Sequence, residues 1–302
     1  MQALATPSKE QITNYFQDLQ NRICHAIEQA DRKGKFLTDT WQRLEGGGGI
    51  SRIIQQGQVL EKAGVNFSAV FGEIPEALRT HFQFQGEKFY ATGVSIVMHP
   101  HNPFVPIIHM NVRYFQLDEH TAWFGGGIDL TPHYIDEEEA RFFHQSLKNI
   151  CDKYHTNYYA TFKKWADDYF FIKHRQETRG IGGIFFDRLK ADSEFSLYDR
   201  FLFVQEVAEA FVPIYTHLIA KNKNRPFTEQ HKRWQLLRRG RYVEFNLVYD
   251  AGTKFGLETN GRIESILMSL PPYVSWEYNY VPQSGSAEEK TLKLLKKGIE
   301  WV

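Results

Sequence analysis

The sequence predicts one α/β domain of the α+β type, a large and mainly antiparallel β-sheet flanked by helices on both sides, over residues 1–302. Three observations point there. Apolar residues recur at spacings of three and four in several long stretches, the pattern of amphipathic helices. Two stretches alternate with period two and are joined by a turn-rich link, His99-Pro100-His101-Asn102-Pro103, suited to antiparallel pairing. No repeat, low-complexity linker or shift in composition divides the chain, and 302 residues can bury one large core.

In chain order, Ser8 with Gln11 forms a capping-box pattern, and Ile12, Phe16, Leu19, Ile23 and Ile27 then predict a helix over 8–31, ending near Gly34. Gly46 to Gly49 reads either as a flexible connector or as backbone that a ligand approaches closely. Strands follow at Val94–His99 and Ile107–Phe115. In the second, Ile108, Met110, Val112 and Tyr114 share the apolar face, while His109, Asn111 and Arg113 share the other. Asp136 with Glu139 opens a helix carrying Ala140, Phe143, His144, Leu147 and Ile150 on one face. A second helix is predicted over 156–177, with Asp167 and His174 on one stripe, and a third over 197–221. Arg241–Tyr249 reads as a strand, Thr259-Asn260-Gly261-Arg262 as a hairpin turn between two further strands, and 286–300 as a last helix.

Composition excludes several classes. With 36 basic and 36 acidic residues the chain is neutral, so it lacks the electrostatic footprint of a nucleic-acid binder. No apolar run approaches the roughly 18 residues a transmembrane helix needs, and Met1 to Pro7 shows no secretory pattern. Cys24 and Cys151 are too few for a disulfide framework or a zinc ribbon. A soluble, cytosolic protein is the expectation. Phosphate-loop, dinucleotide-binding, nucleophile-elbow and H-E-x-x-H motifs are all missing. The aromatic content of 15% suits a core or a pocket for a flat ligand.

Eight of the 12 histidines lie between positions 99 and 174. The grouping of His109, Asn111 and Arg113 on one strand face, beside Ser95 and His99, suits an anion or carboxylate site better than an ordinary solvated face, which favours Lys, Glu and Thr. His144 on an apolar helix face reads as a satisfied core histidine. Asp129 after Gly125-Gly126-Gly127 is either a turn residue or an acid open to a ligand, and Asp250 before Gly252 has the same two readings.

Several blocks then resemble one family. Glu61-Lys62-Ala63-Gly64-Val65-Asn66-Phe67-Ser68, Trp123-Phe124-Gly125-Gly126-Gly127-Ile128-Asp129-Leu130-Thr131-Pro132 and Arg179-Gly180-Ile181-Gly182-Gly183-Ile184-Phe185-Phe186-Asp187 are similar to blocks of the oxygen-dependent coproporphyrinogen III oxidases. So are Lys173-His174-Arg175, Arg238 to Leu247 and Glu264 to Pro272, in order over residues 40 to 280. The resemblance implies a homodimeric enzyme of haem biosynthesis that converts two propionates of coproporphyrinogen III to vinyl groups. Oxygen would be the co-substrate, with no organic cofactor and with manganese the most suitable divalent ion.

It also implies roles for particular residues. Ser95, Asn111, Val112, Arg113, Asn260, Gly261 and Arg262 would contact substrate, the arginines as forks on propionates. His109 would be a proton donor, and Asp129 and Asp250 would hold pyrrole N–H groups. His99, His109, His144 and His174 correspond to metal ligands of bacterial relatives. Ala251 stands where an arginine is usual, Asn260 where a glycine is usual, and Val112 where a tyrosine is frequent. The apolar stretch Ile266 to Pro272 makes 242–277, read as strands, the candidate dimer interface.

Overall fold

In the computed structural model, which describes residues 6–74, 88–118, 121–258 and 261–302, helix α1 (Lys9–Asp31) opens the chain. Ser8 and Gln11 form the expected reciprocal cap, and Ile12, Phe16, Leu19, Ile23 and Ile27 are buried. The far end is pinned by Asp31, whose carboxylate accepts from the backbone N–H groups of Gly34, Gln58, Val59 and Leu60. Burial alone would raise this carboxyl, but the four N–H donors hold it below the ordinary range.

Seven strands form one antiparallel sheet in the order β1 (Leu37–Gln42), β2 (Gly47–Gln55), β3 (Leu60–Glu73), β4 (Lys88–Pro100), β5 (Ile107–Gln116), β6 (Ala122–Thr131) and β9 (Gly183–Leu189). Each neighbouring pair is antiparallel. One face is mostly apolar: Val65 on β3, Val94 and Ile96 on β4, Met110 and Val112 on β5 and Ile128 on β6 are all fully buried, with Arg52 on β2 and Thr92 on β4 as polar exceptions. Helices α1, α2 (Glu137–Tyr154), α4 (Leu197–Glu209) and α5 (Phe211–Asn222) cover this face and complete the main core. Each fully buried Leu, Ile, Val or Phe there contributes about 1.5–3 kcal/mol of transfer free energy.

The opposite face is covered at one end only. Helix α6 (Glu229–Val248) lays Tyr242 on Val97 and Ile107, and the segment after α7 (Ala251–Glu258) and α8 (Ile263–Leu267) sets Met268 over Gly64. A Cβ at Gly64 would lie 2.5 Å from the Met268 side chain, so only glycine admits that contact. Helix α3 (Tyr158–Tyr169) runs beside β9, the small hairpin of β7 (Phe171–Ile172) and β8 (Glu177–Thr178) follows it, and α9 (Ala287–Leu294) closes the order. Among the described residues, no helix is long and apolar enough to cross a membrane.

Several sequence expectations are corrected. Arg241–Tyr249 is the end of α6, not a strand, and residues 242–277 contain helices where strands were expected. Asn260 lies outside the described residues; Gly261 donates its N–H to Gly256 O between two short helices, where a hairpin was expected. The helix expected over 156–177 stops at Tyr169, so His174 sits in a turn and shares no stripe with Asp167. The helix expected over 197–221 is two helices, broken at Ala210; Pro213, just inside α5, has no N–H to continue the ladder. The last helix is Ala287–Leu294 rather than 286–300. Gly47 to Gly49 belong to β2, paired on both sides, and are not a loop.

Candidate active site

The strand registers line up the partly open face in rows. One row runs Asp39, Ser51, Asn66, Ser95, Asn111, Gly127, Phe185 across all seven strands. The next, on one side, runs Trp41, Gly49, Ser68, Gly93, Arg113, Gly125. On the other side it runs Gly64, Val97, His109, Asp129, Gly183. Rows on one face are about 6.8 Å apart, two residues along a strand. The result is a broad trough with short polar side chains and glycines as its floor, bounded by Arg113 and by the His109–Asp129 pair. Glycine matters most at Gly125, where a Cβ would stand 2.3 Å from Asp187 Oδ1 and 3.0 Å from the Arg113 guanidinium.

His109 and Asp129 face each other in register, and His109 Nδ1 donates to Asp129 Oδ1 at 2.9 Å. Behind them Arg179 Nη2 donates to both Asp129 oxygens, at 2.8 and 2.7 Å. The Arg179 guanidinium is itself buried between the rings of Phe170, Phe245 and Tyr242, at 4.3, 4.7 and 4.8 Å. Burial pushes the Asp129 carboxyl up, but the Arg179 charge and the His109 hydrogen bond outweigh it and hold the group below the usual carboxylate range. Asp129 is therefore ionised and shut away, with 2% of its side chain exposed, while His109 keeps 24%. An ionised carboxylate only accepts, so Nδ1 carries the hydrogen and Nε2 is left to meet a ligand. Asp129 was expected to take pyrrole N–H groups; its oxygens accept from Arg179 and His109, and it meets the trough by way of the imidazole.

The other expected contacts divide. Ser95, Asn111 and Arg113 stand in the trough, with Arg113 Nη1 donating to Asn111 Oδ1 at 2.8 Å. Val112 does not: it is fully buried in the apolar core on the reverse face. Arg262 reaches down from the covering segment, donating to Ser265 Oγ at 3.0 Å and pairing with Asp39 at the trough's far end. Asp250 caps α7. It accepts from Thr253 N–H at 2.7 Å and from the Tyr169 hydroxyl at 2.8 Å, and Tyr169 stacks on Phe185 of the floor. It follows the end of α6, not a strand as expected, and it is only half-buried.

The four histidines with a metal-ligand counterpart are not brought together. His144 lies on α2, behind the sheet, with Nδ1 on the Tyr159 hydroxyl and Nε2 on Ile181 O, both 2.9 Å. Burial pushes its pKa down to about 3, the mark of a neutral core histidine with both nitrogens used. His99 is fully buried under α6, with Nε2 on Ser269 O, and His174 in its turn meets Tyr249 and Glu244. Only His109 faces the trough. Among the described residues no three His, Cys, Asp or Glu side chains are grouped to hold a metal ion, so these positions do not fit one donor set.

Arg179 is the functional residue that residue-by-residue reading missed. It opens the stretch Arg179 to Asp187, yet nothing local ties it to Asp129, 50 positions away.

Fold and site together define a mixed α/β protein with an antiparallel sheet, one face of which carries a polar, arginine- and histidine-bounded trough. The family model for coproporphyrinogen III oxidase matches residues 11–301. The oxygen-dependent coproporphyrinogen-III oxidase of Drosophila melanogaster is 50% identical over 299 residues, covering 94% of this chain and 76% of that protein. Coproporphyrinogen-III oxidase 1, chloroplastic, of Arabidopsis thaliana is 50% identical over 298 residues, with the same coverage. The chain belongs to the coproporphyrinogen III oxidase family.

Proposed function

We propose that this chain oxidatively decarboxylates two propionates of coproporphyrinogen III to vinyl groups, giving protoporphyrinogen IX in haem biosynthesis. In each step the carboxylate leaves as CO2, a hydrogen with two electrons leaves the neighbouring side-chain carbon, and these with one further proton from the medium convert O2 to H2O2. The observation that carries this reading is the His109–Asp129–Arg179 row at the edge of a glycine-floored trough, in a chain that matches the family over nearly its whole length. The flat floor admits a macrocycle. Arg113 and Arg262, in the trough and above its far end, are the cations we assign to its carboxylate arms. His109 Nε2 is free to exchange a proton with a substrate, backed by an ionised Asp129 that stabilises the imidazolium. Asp250, half-exposed beside the trough, is the carboxylate available to the pyrrole N–H groups. Removing a pyrrole proton makes the ring electron-rich enough to react with oxygen, which is chemistry that needs no organic cofactor.

The test is direct. Purified protein with coproporphyrinogen III in air, without added flavin, yields protoporphyrinogen with two O2 consumed per product. Equal turnover under strict anaerobiosis would overturn the reaction class. The donor geometry also leads us to expect activity to survive dialysis against a chelator. A loss restored by manganese alone would point to a metal site other than the four histidines in their present places.

A homodimer and a cytoplasmic location belong to the same proposal. Ile263, Tyr273, Trp276 and Tyr278 expose apolar surface in and just beyond 242–277, which supports an interface there, while Met268 is already spent on the chain's own sheet. Sedimentation at micromolar concentration is expected to give a dimer, and a monomer would remove the interface.

A further inference from the structure

Arg113 is not waiting empty-handed. Its Nη1 holds Asn111 Oδ1 at 2.8 Å, and its Nη2 lies 3.0 Å from Asp187 Oδ1, across the bare backbone of Gly125. Asp187 sits on β9, two residues beyond Phe185, so its side chain enters the trough from the same face as Arg113. Its approach depends on Gly125, because any Cβ there would occupy the position of Oδ1. The pairing is poorly directed. Asp187 Oδ1 is buried and, among the described residues, makes no aligned hydrogen bond, so Arg113 holds it by charge alone and not as a two-pronged fork.

We propose that Asp187 is a built-in competitor for the substrate's carboxylate, a specificity-determining residue that hands Arg113 to a propionate and takes it back after decarboxylation. This rests on the function proposed above. A propionate carboxylate can meet the guanidinium squarely with two parallel hydrogen bonds, which Asp187 does not make, so the arriving arm displaces it. When that carboxylate leaves as CO2, the vinyl group left behind has nothing to offer Arg113, and Asp187 re-forms the pair. The exchange weakens the hold on the processed side chain while a second propionate is still to be presented. It also sets a threshold: a side chain without a carboxylate cannot displace Asp187.

The consequence is opposite in sign to that of an ordinary binding residue. Removing Asp187 leaves Arg113 permanently available, so carboxylated ligands bind more tightly. Turnover suffers, because the resident competitor that clears Arg113 after each step is gone.

The test uses the full chain and a stable planar probe, coproporphyrin III, titrated by fluorescence against wild type, Asp187→Asn and Asp187→Ser. Each is compared in an Arg113→Ala background, with folding checked by circular dichroism. The expected result is several-fold tighter binding in both Asp187 variants, with the gain abolished when Arg113 is absent. In the coupled assay their KM for coproporphyrinogen III falls while kcat also falls. Unchanged or weaker probe binding in the folded Asp187 variants, or a gain that persists without Arg113, would overturn the proposal. If wild type neither binds the probe nor turns over the porphyrinogen, it is the proposed function that fails, and the two failures are thereby distinguished.

Discussion

Asp129→Asn is expected to lower kcat by about 10²–10⁴-fold, the range for losing a positioned proton-transfer group. The substitution keeps the shape and removes the charge. The amide can turn its N–H2 toward His109, which reverses the imidazole tautomer and takes the hydrogen from Nδ1, as neutral amides do in a positioned His–carboxylate pair. The same change strands Arg179, whose guanidinium is almost fully buried and, among the described residues, hydrogen-bonds to the two Asp129 oxygens. Leaving one partner of a buried pair uncompensated costs about 3–5 kcal/mol. Asp129→Asn therefore loses both rate and stability. His144→Ala separates the two effects, because its nitrogens serve only Tyr159 and Ile181. It is expected to lose stability, at about 1–3 kcal/mol per buried group left unpaired, while kcat of the folded protein stays close to wild type. Steady-state rates beside urea unfolding curves decide between them. A catalytically dead but stable His144→Ala would move the chemistry to the other side of the sheet.

The second large effect is at Glu61, on the closed end of the trough. Its carboxylate serves Arg239 Nη1 at 2.5 Å, Lys232 Nζ at 2.8 Å and His101 Nδ1 at 3.2 Å, beneath α6. Arg239 is fully buried, so Glu61→Ala leaves an unpaired charge inside the protein, and unfolding free energy is expected to fall by about 3–5 kcal/mol. Acid has the same consequence. Burial would raise the Glu61 carboxyl, but His101, Arg239 and Lys232 together hold it far below its ordinary 4.5. A depressed folded-state value contributes stability that is complete above about pH 4.5 and lost as pH falls toward the folded value. Wild-type stability should therefore drop faster below pH 4.5 than that of Glu61→Gln. Parallel pH curves for the two proteins would show that Glu61 is not the source.

What the sequence could reveal followed from how each element is solvated. Strands β4 and β5 were legible because Val94, Ile96 and Met98 on one and Ile108, Met110, Val112 and Tyr114 on the other keep one face apolar, while Ser95, His99, His109, Asn111 and Arg113 punctuate the other, so alternation survives. Helices α1 and α2 were legible for the same reason at helical spacing. Helix α6 was not. Its buried side carries Gln235, Arg238, Arg239 and Asn246, which find partners only in the folded chain, and these polar residues erase the periodic signal. What remains locally is Tyr242, Val243 and Phe245, which favour a strand. Strand β2 was hidden by Gly47, Gly48 and Gly49, whose role in the floor appears only once both neighbouring strands are in place.

The site divided in the same way. His109, Asn111 and Arg113 announce themselves by sharing one strand face. Arg179 and Asp187 reach the same trough from the far edge strand and the loop before it, where proximity depends on the register of β6 with β9. The four-histidine metal set fails on a point that no spacing could show, which is that α2 covers the face of the sheet opposite His109.

The central claim is that His109 and Asp129 work as one unit, the carboxylate acting only through the imidazole. A double-mutant cycle on kcat tests it most directly, with His109→Asn, Asp129→Asn and the pair, each confirmed folded. Groups acting as a unit are strongly non-additive. The prediction is that adding Asp129→Asn to His109→Asn costs little further rate, so that the double variant turns over about as slowly as His109→Asn alone. Losses that multiply, as for two independent groups, would show that Asp129 serves the substrate by itself and would contradict the account.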